Sequence, residues 1–199
     1  MKKENLNKRQ LQAIETRKKI YDTAIKLMVK EGYDNITVSS ICKSANVSVG
    51  SFYHHFKSKE GIIIEAYRIV DKYFESNVAN KLKSKNNLDK IIEFVIYQVN
   101  YAKEMGIDLM IQVYKSQIQA GNRFFISNDR SLPSILRNIV VIGQSKGEIT
   151  SSMTPQEITD FILRFSRGII YDWCVHDGSY DIEKVAKDSM KKVINIFRP

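Results

Sequence analysis

The sequence predicts an all-α protein, and three features of its 199 residues support this. Apolar residues recur at three-and-four spacing in successive stretches, which is the period of a helix with one buried face. Only 3 Pro and 9 Gly occur, mostly between those stretches, which disfavours a turn-rich β architecture. A helix-start signal is also present: Thr154, Pro155 and Glu157 form a capping box with proline in the first turn. We therefore expect about nine helices and no strand.

The first helix is expected over about residues 11–31, where Ile20, Ala24 and Met28 fall on one face. Gly32 follows the last apolar position and is expected to end the helix as a left-handed cap. The chain therefore begins with one amphipathic helix that needs partners to cover its apolar side.

Residues 36–59 predict two short helices joined by a tight turn. Thr37 or Ser39 can cap the first helix, and Ser48 can cap the second. Gly50 has no side chain, so a sugar-phosphate strand could approach the second helix closely. This stretch contains no Asp or Glu, and the N-terminal end of a helix favours anions. The pattern fits the helix-turn-helix of DNA-reading proteins, with an ordinary helical hairpin as the alternative.

Six further helices are predicted by the same apolar spacing. The clearest loop between them is the polar run at residues 81–87. The expected ranges are about 59–82, 88–104, 108–119, 132–146, 154–176 and 181–197.

The charge of the chain predicts an anionic partner. The formal net charge is +9, of which residues 1–60 carry +6 (12 Lys and Arg against 6 Asp and Glu). A nucleic acid or an anionic membrane surface fits this imbalance. The two cysteines form no disulfide or metal motif, and no signal peptide or membrane-spanning run is evident, so we expect a reduced, cytoplasmic protein.

Residues 16–59 resemble the DNA-binding module of the tetracycline-repressor (TetR/AcrR) family of bacterial regulators. Asn46 departs from the usual glycine of the family's turn, and asparagine tolerates the left-handed conformation that a turn requires. Cys42 replaces another small residue. The residues that carry the resemblance are Arg17, Ile20, Ala24, Gly32, Tyr33, Thr37, Val38, Ile41, Ala45, Val47, Ser48, Gly50, Phe52, Tyr53, Phe56, Lys59 and Glu60.

The resemblance implies two domains: a DNA-binding helix-turn-helix domain at residues 1–60, and an effector-binding and dimerisation domain at residues 61–199. The helix that begins at Lys59 would link them and transmit the ligand signal. Val49 and His54 are the candidates for contacts to base edges. The complete set of expected DNA contacts is Thr37, Ser39, Ser48, Val49, Gly50, Ser51, Tyr53, His54, Lys57 and Lys59.

The resemblance further implies that a small, mostly apolar effector binds in the second domain. Aromatic and methionine side chains are frequent there and could line an apolar cavity, although each of them could equally be plain core. The candidates are Tyr97, Tyr101, Met105, Met110, Tyr114, Phe165 and Trp173.

A homodimer is expected from the last two helices, which pair with those of a second subunit in the family. Palindromic DNA is read best by a two-fold symmetric dimer, while burial within one subunit is the alternative use of these residues. The expected dimer contacts are Phe161, Ile162, Ile169, Val185 and Val193.

No enzyme motif is present, and we expect no catalysis, cofactor or metal. Asp172 and His176, four residues apart, are a conceivable metal-binding pair, but a charge at a helix end explains His176 more simply. The predicted function is a ligand-responsive repressor that releases a palindromic operator when its effector binds. The alternative is a helical small-molecule-binding module whose basic end contacts an anionic membrane surface.

Overall fold

The computed structural model describes residues 7–119, 123–127 and 130–199, with the side chains of all of these except 67, 119, 123 and 124. Within these ranges the protein is all-helical, as predicted, with nine α-helices and three short helical turns. The α-helices are α1 (Lys8–Glu31), α2 (Val38–Ala45), α3 (Val49–His55), α4 (Lys59–Tyr73), α5 (Asn87–Met105), α6 (Ile107–Gln119), α7 (Ser131–Ser145), α8 (Pro155–Val175) and α9 (Ile182–Val193).

Local sequence signals set most of the helix ends. Thr37 caps α2 through a reciprocal bond pair with Ser40, and Thr154 caps α8 in the predicted capping box. Asn46 ends α2 in the left-handed region (φ 48°, ψ 54°), which confirms that asparagine can replace glycine in this turn. The cap of α5 is Asn86, two residues before the predicted range begins.

The fourth helix is shorter than the sequence predicted. α4 ends at Tyr73, and a π-helical turn (Phe74–Val78) follows it instead of further α-helix. Two other short turns, both 3-10, lie at Arg123–Ile126 and Ile194–Phe197.

The chain forms two compact units that divide between Ala66 and Tyr67, inside α4. The sequence placed the border after residue 60. The first turns of α4 belong to the first unit because Ile62 and Ile63 are buried there and Glu65 pairs with Arg17.

The first unit is held by α1, which packs against α2 and α3. Ile20, Ala24, Ile41, Ala45 and Phe52 are fully buried between the three helices. Burying a large apolar side chain contributes about 1.5–3 kcal/mol, so this small core fixes the position of the two short helices.

In the second unit α5 packs against α6, α7, α8 and α9. A largely buried ion pair joins α4 to the start of α7: Arg130 donates to both carboxylate oxygens of Asp71, at 2.9 and 3.0 Å. Glu148, in the loop after α7, accepts two hydrogen bonds of 2.6 Å from Asn87 at the start of α5. No helix in the described part of the chain is long and apolar enough to cross a membrane.

Candidate nucleic-acid interface and effector site

One face of α3 is buried and the other is open. Ser48 caps the helix by accepting the backbone N–H of Ser51 at 3.1 Å, and the ring of Phe52 is completely buried. On the opposite side, Val49 is 47% exposed and Tyr53 is 53% exposed. The buried phenylalanine therefore orients α3 so that a row of uncharged side chains faces outward.

Gly50 lies on this open face, at the second position of α3. A Cβ built on it would meet only Ser48 Oγ, at 3.9 Å, which is ordinary van der Waals contact. Nothing inside the protein therefore requires a glycine here. The missing side chain leaves the backbone of α3 accessible to a partner from outside.

The remaining predicted DNA contacts, apart from Lys59, are exposed or half-buried around this face. Thr37 and Ser39 at the start of α2 are exposed, and so are His54 and Lys57 at the far end of α3. Hydroxyl, imidazole and ammonium groups of this kind donate hydrogen bonds to phosphate oxygens. The arrangement suits an anionic strand that passes along the starts of α2 and α3.

Lys59 does not fit the predicted phosphate role. Its ammonium donates to the carbonyl oxygens of Tyr33 at 2.7 Å and Ile36 at 3.1 Å, and it lies 4.0 Å from the centre of the Tyr33 ring. Lys59 thereby ties the loop between α1 and α2 to the start of α4. Lys59 is therefore not among the proposed DNA contacts, because its ammonium already donates to two backbone carbonyl groups.

Arg17 holds the other end of α3. Its guanidinium donates to the carbonyl of His55 at 2.6 Å and to Glu65 at 2.7 Å, and it lies 4.5 Å above the ring of Phe56. A cation is favourable at the C-terminal end of a helix. The pKa of His55 is lowered, first by burial and then by the neighbouring charges of His54 and Arg17. Sequence reasoning gave Arg17 no positioning role, because its partners lie 38 and 48 residues away.

The predicted effector residues lie in different surroundings. The ring of Tyr101 is tilted by 42° against that of Tyr73, with ring centres 5.0 Å apart, and burial raises the pKa of Tyr101 to about 12. Trp173 is buried, and its indole N–H donates to the carbonyl of Tyr180 at 3.2 Å. Met110 is buried too. Tyr97, Met105 and Phe165 are half-buried.

Tyr114, another predicted effector residue, belongs to an aromatic cluster with Phe125 and Tyr171. Its ring lies 5.4 Å from the ring of Phe125 and 5.9 Å from that of Tyr171, and its hydroxyl donates to the Arg167 carbonyl at 2.7 Å. Beside this cluster is a cavity of about 150 Å³. Its lining residues are Phe125, Ile126, Pro133, Asp160, Leu163, Arg164 and Arg167. Sequence reasoning missed the two arginines, because charged residues in an amphipathic helix normally face solvent.

The predicted dimer contacts divide into two groups. Ile162 is fully buried inside its own subunit, so the prediction that it contacts a second subunit is wrong. The helical period carries Ile158, Ile162 and Ser166 to the core side of α8. Phe161, Ile169, Val185 and Val193 are half-buried or exposed. Three large exposed side chains that sequence reasoning did not select lie on the same two helices or just after them: Tyr171, Val175 and Ile196.

Asp172 and His176 do not form part of a metal-binding cluster within the described ranges. The carboxylate of Asp172 accepts a hydrogen bond of 2.8 Å from the Tyr180 hydroxyl. His176 Nδ1 lies 2.8 Å from the Asp172 carbonyl oxygen and 3.5 Å from its carboxylate. The pair therefore closes the end of α8.

Comparison with known proteins supports the nucleic-acid reading of this site. Residues 20–66 match the family model described as bacterial regulatory proteins, tetR family. The HTH-type negative transcriptional regulator IcaR of the biofilm operon icaADBC, from Staphylococcus aureus, is 31% identical over 183 residues, which cover 90% of this chain and 97% of IcaR.

Solved structures share the fold. The transcriptional regulator FadR from Bacillus subtilis, in complex with stearoyl-CoA, superposes with a TM-score of 0.65 at 20% identity, covering 89% of this chain and 96% of FadR. A putative TetR-family regulator from Rhodococcus sp. gives a TM-score of 0.70 at 17% identity, covering 94% of this chain and 100% of that one.

Proposed function

This chain belongs to the tetR family of bacterial regulatory proteins, and on that premise we propose that it is a repressor that binds a palindromic operator and releases it when an effector binds. The observation that carries the proposal is the open face of α3, which has no carboxylate and exposes a glycine that the protein itself does not need. Such a surface accepts close approach of duplex phosphates.

We propose that α3 enters the major groove, with Val49 and His54 reading base edges. Apolar contact from Val49 would favour a thymine methyl group, and the imidazole of His54 can donate to a base acceptor. The phosphate contacts that position α3 would come from Thr37, Ser39, Ser48, Ser51, Tyr53 and Lys57, with Gly50 allowing the strand to approach.

We propose a homodimer formed by the outer face of α8 and α9. Val175 and Ile196 are 60% and 57% exposed, and an apolar face of this kind normally marks an interface. A two-fold pair would present two α3 helices to successive major grooves. Val175→Asp is expected to shift the sedimentation coefficient from dimer to monomer, whereas Val29→Asp, an equally apolar and half-exposed position on α1, should leave it unchanged.

We propose that the effector binds in the second unit, near the cluster of Tyr114, Phe125 and Tyr171. The relative FadR was solved with stearoyl-CoA, which supports a ligand with a large apolar part. The effector releases DNA only if it binds the non-operator geometry more tightly than the operator geometry. Since its target is DNA, we place the protein in the cytoplasm.

Selection of bound sequences from a random duplex pool tests the proposal. We expect one inverted repeat to be enriched, with half-sites about one helical turn apart and with affinity that falls steeply as salt rises. Anionic vesicles serve as the comparison. Equal binding to vesicles and to the selected duplex would instead favour the alternative of a membrane-surface module, for which the comparisons offer no support.

A further inference from the structure

The cavity beside Tyr114 contains more positive than negative charge. Arg164 and Arg167 both line it, and Asp160 is its one acidic residue among those described. Asp160 lies 3.8 Å from the Arg164 guanidinium, at ion-pair distance. In the described part of the chain no carboxylate forms an ion pair with Arg167. Asp160, the carboxylate described at this cavity, therefore faces two guanidinium groups and compensates the charge of Arg167 only in part.

The environment of Arg167 makes this incomplete charge compensation costly. Its side chain is half-buried, and its guanidinium stacks over the Phe125 ring at 5.1 Å. Burial and then the charge of Arg130 lower the pKa of Arg167. Arg130 itself is paired with Asp71. Since an arginine stays protonated in proteins, the site gains stability when an anion enters it.

The geometry suits a planar or tetrahedral acid group. A guanidinium stacked on an aromatic ring keeps its N–H donors in the plane of the group, where they can form paired bonds to carboxylate or phosphate oxygens. The other lining residues are apolar: Phe125, Ile126, Pro133 and Leu163. The cavity volume of about 150 Å³ is well above the space that a single water molecule requires. That space holds an acid group and a few carbons.

We propose that this cavity binds the acid group, carboxylate or phosphate monoester, of an amphipathic anion, with Arg167 as its main partner and Arg164 as the second. That this anion is the effector rests on the proposed function. Binding of the anion to the protein does not, because it requires no DNA.

Four probes with eight carbons each test the charge preference: octanoate, octyl phosphate, octanol and octylammonium. Titration calorimetry on the full chain, at constant ionic strength, gives each Kd. We expect at least one of the two anions to bind at least about tenfold more tightly than octanol, the difference made by one charge-assisted bond pair. Which anion does so identifies the acid group. Equal binding of octanol, or tighter binding of octylammonium, would overturn the proposal.

Two matched variants test the residue assignment. Arg167→Met keeps an unbranched side chain as long as the arginine stem and removes the charge. We expect this variant to bind the preferred anion at least about tenfold more weakly. Arg137→Met makes the same change at an exposed position of α7 outside this cavity, and it controls for the general effect of positive charge. Equal Kd values for the two variants would contradict the role of Arg167.

The test remains decisive if Arg167→Met does not fold. Arg164→Met alters an exposed side chain, which is 74% accessible. It should weaken binding of the anion several-fold and leave binding of octanol unchanged. Failure of the regulator hypothesis has a separate signature: no duplex is selected, while the anion preference persists. If a duplex is selected but anions bind no better than octanol, only the cavity proposal fails.

Discussion

Replacing Gly50 by alanine separates what the protein needs from what DNA needs at the start of α3. The added methyl group would contact only Ser48 Oγ at 3.9 Å, so no atom of the protein has to move. Glycine inside a helix costs about 0.5–1 kcal/mol relative to alanine. We therefore expect Gly50→Ala to fold normally and to melt a few degrees higher than the wild type, since about 1 kcal/mol corresponds to roughly 4–8 °C in a unit of this size.

The same methyl group should weaken operator binding. It occupies the space through which a phosphate strand would approach the backbone of α3. Losing two or three phosphate contacts at about 1 kcal/mol each would cost about 2–3 kcal/mol per half-site, or roughly 30- to 150-fold in Kd. Fluorescence anisotropy with the selected duplex measures this loss, and thermal unfolding of the same preparation measures stability.

Gly61→Ala is the matched control. Gly61 lies in the first turn of α4, and its added Cβ would also make only ordinary contacts, the nearest being Phe56 Cβ at 3.8 Å. It should stabilise the protein similarly and leave the Kd for DNA unchanged. Wild-type DNA affinity in Gly50→Ala would refute the close approach of a strand at α3. A lower melting temperature would refute the claim that the protein tolerates a side chain there.

Four further outcomes follow from the contacts in the two units. Lys59→Met should destabilise the protein by about 1–3 kcal/mol, measured by urea unfolding, because two carbonyl oxygens lose their charged donor. Lys57→Met should leave stability unchanged and reduce the salt slope of DNA binding by about one per half-site. Gly143→Ala should cost about 1–3 kcal/mol, since its Cβ would lie 2.4 Å from the Ile149 side chain. Hydrogen bonds from Asn87 lower the pKa of Glu148 in the folded protein. Glu148 therefore stabilises the fold above the pKa it has in the unfolded chain, and this stabilisation is lost as the pH falls through its folded pKa. Glu148→Gln should reduce the fall of the melting temperature at acid pH.

The outcomes expected for Lys59, Gly143 and Glu148 each have a result that would contradict them. For Lys59, a methionine variant with the same urea midpoint as the wild type but a weaker affinity for DNA would contradict the structural role. That result is expected if Lys59 contacts a phosphate. For Gly143, wild-type stability of the alanine variant would mean that α7 and the following loop can move apart freely. For Glu148, the same dependence of the melting temperature on acid pH in wild type and variant would assign that dependence to other carboxylates.

The helices, their caps and the turn of the DNA-binding motif were predictable from the sequence, because the forces that create them act over three or four residues. The Thr154 capping box and the left-handed Asn46 are decided by neighbouring backbone groups. The end of α4 was not predictable in this way. Its apolar pattern continues past Tyr73, and the π-helical turn buries Phe74 and Val78 in the second unit.

What the sequence alone determined is an all-helical chain whose third helix opens with an uncharged, glycine-bearing face. Only the tertiary structure decided which charged side chains bind groups of the protein itself and which can bind a ligand. Lys59 and Arg17 satisfy carbonyl groups 23 to 38 residues away, while Arg167 lies over an aromatic ring beside a cavity and shares Asp160 with Arg164. A residue's own type and spacing do not reveal such partners, because the distance along the chain says nothing about which groups folding brings within 3 Å. The same reason applies to Ile162, whose apolar side chain suits a subunit interface and a core equally, until packing places it in the core.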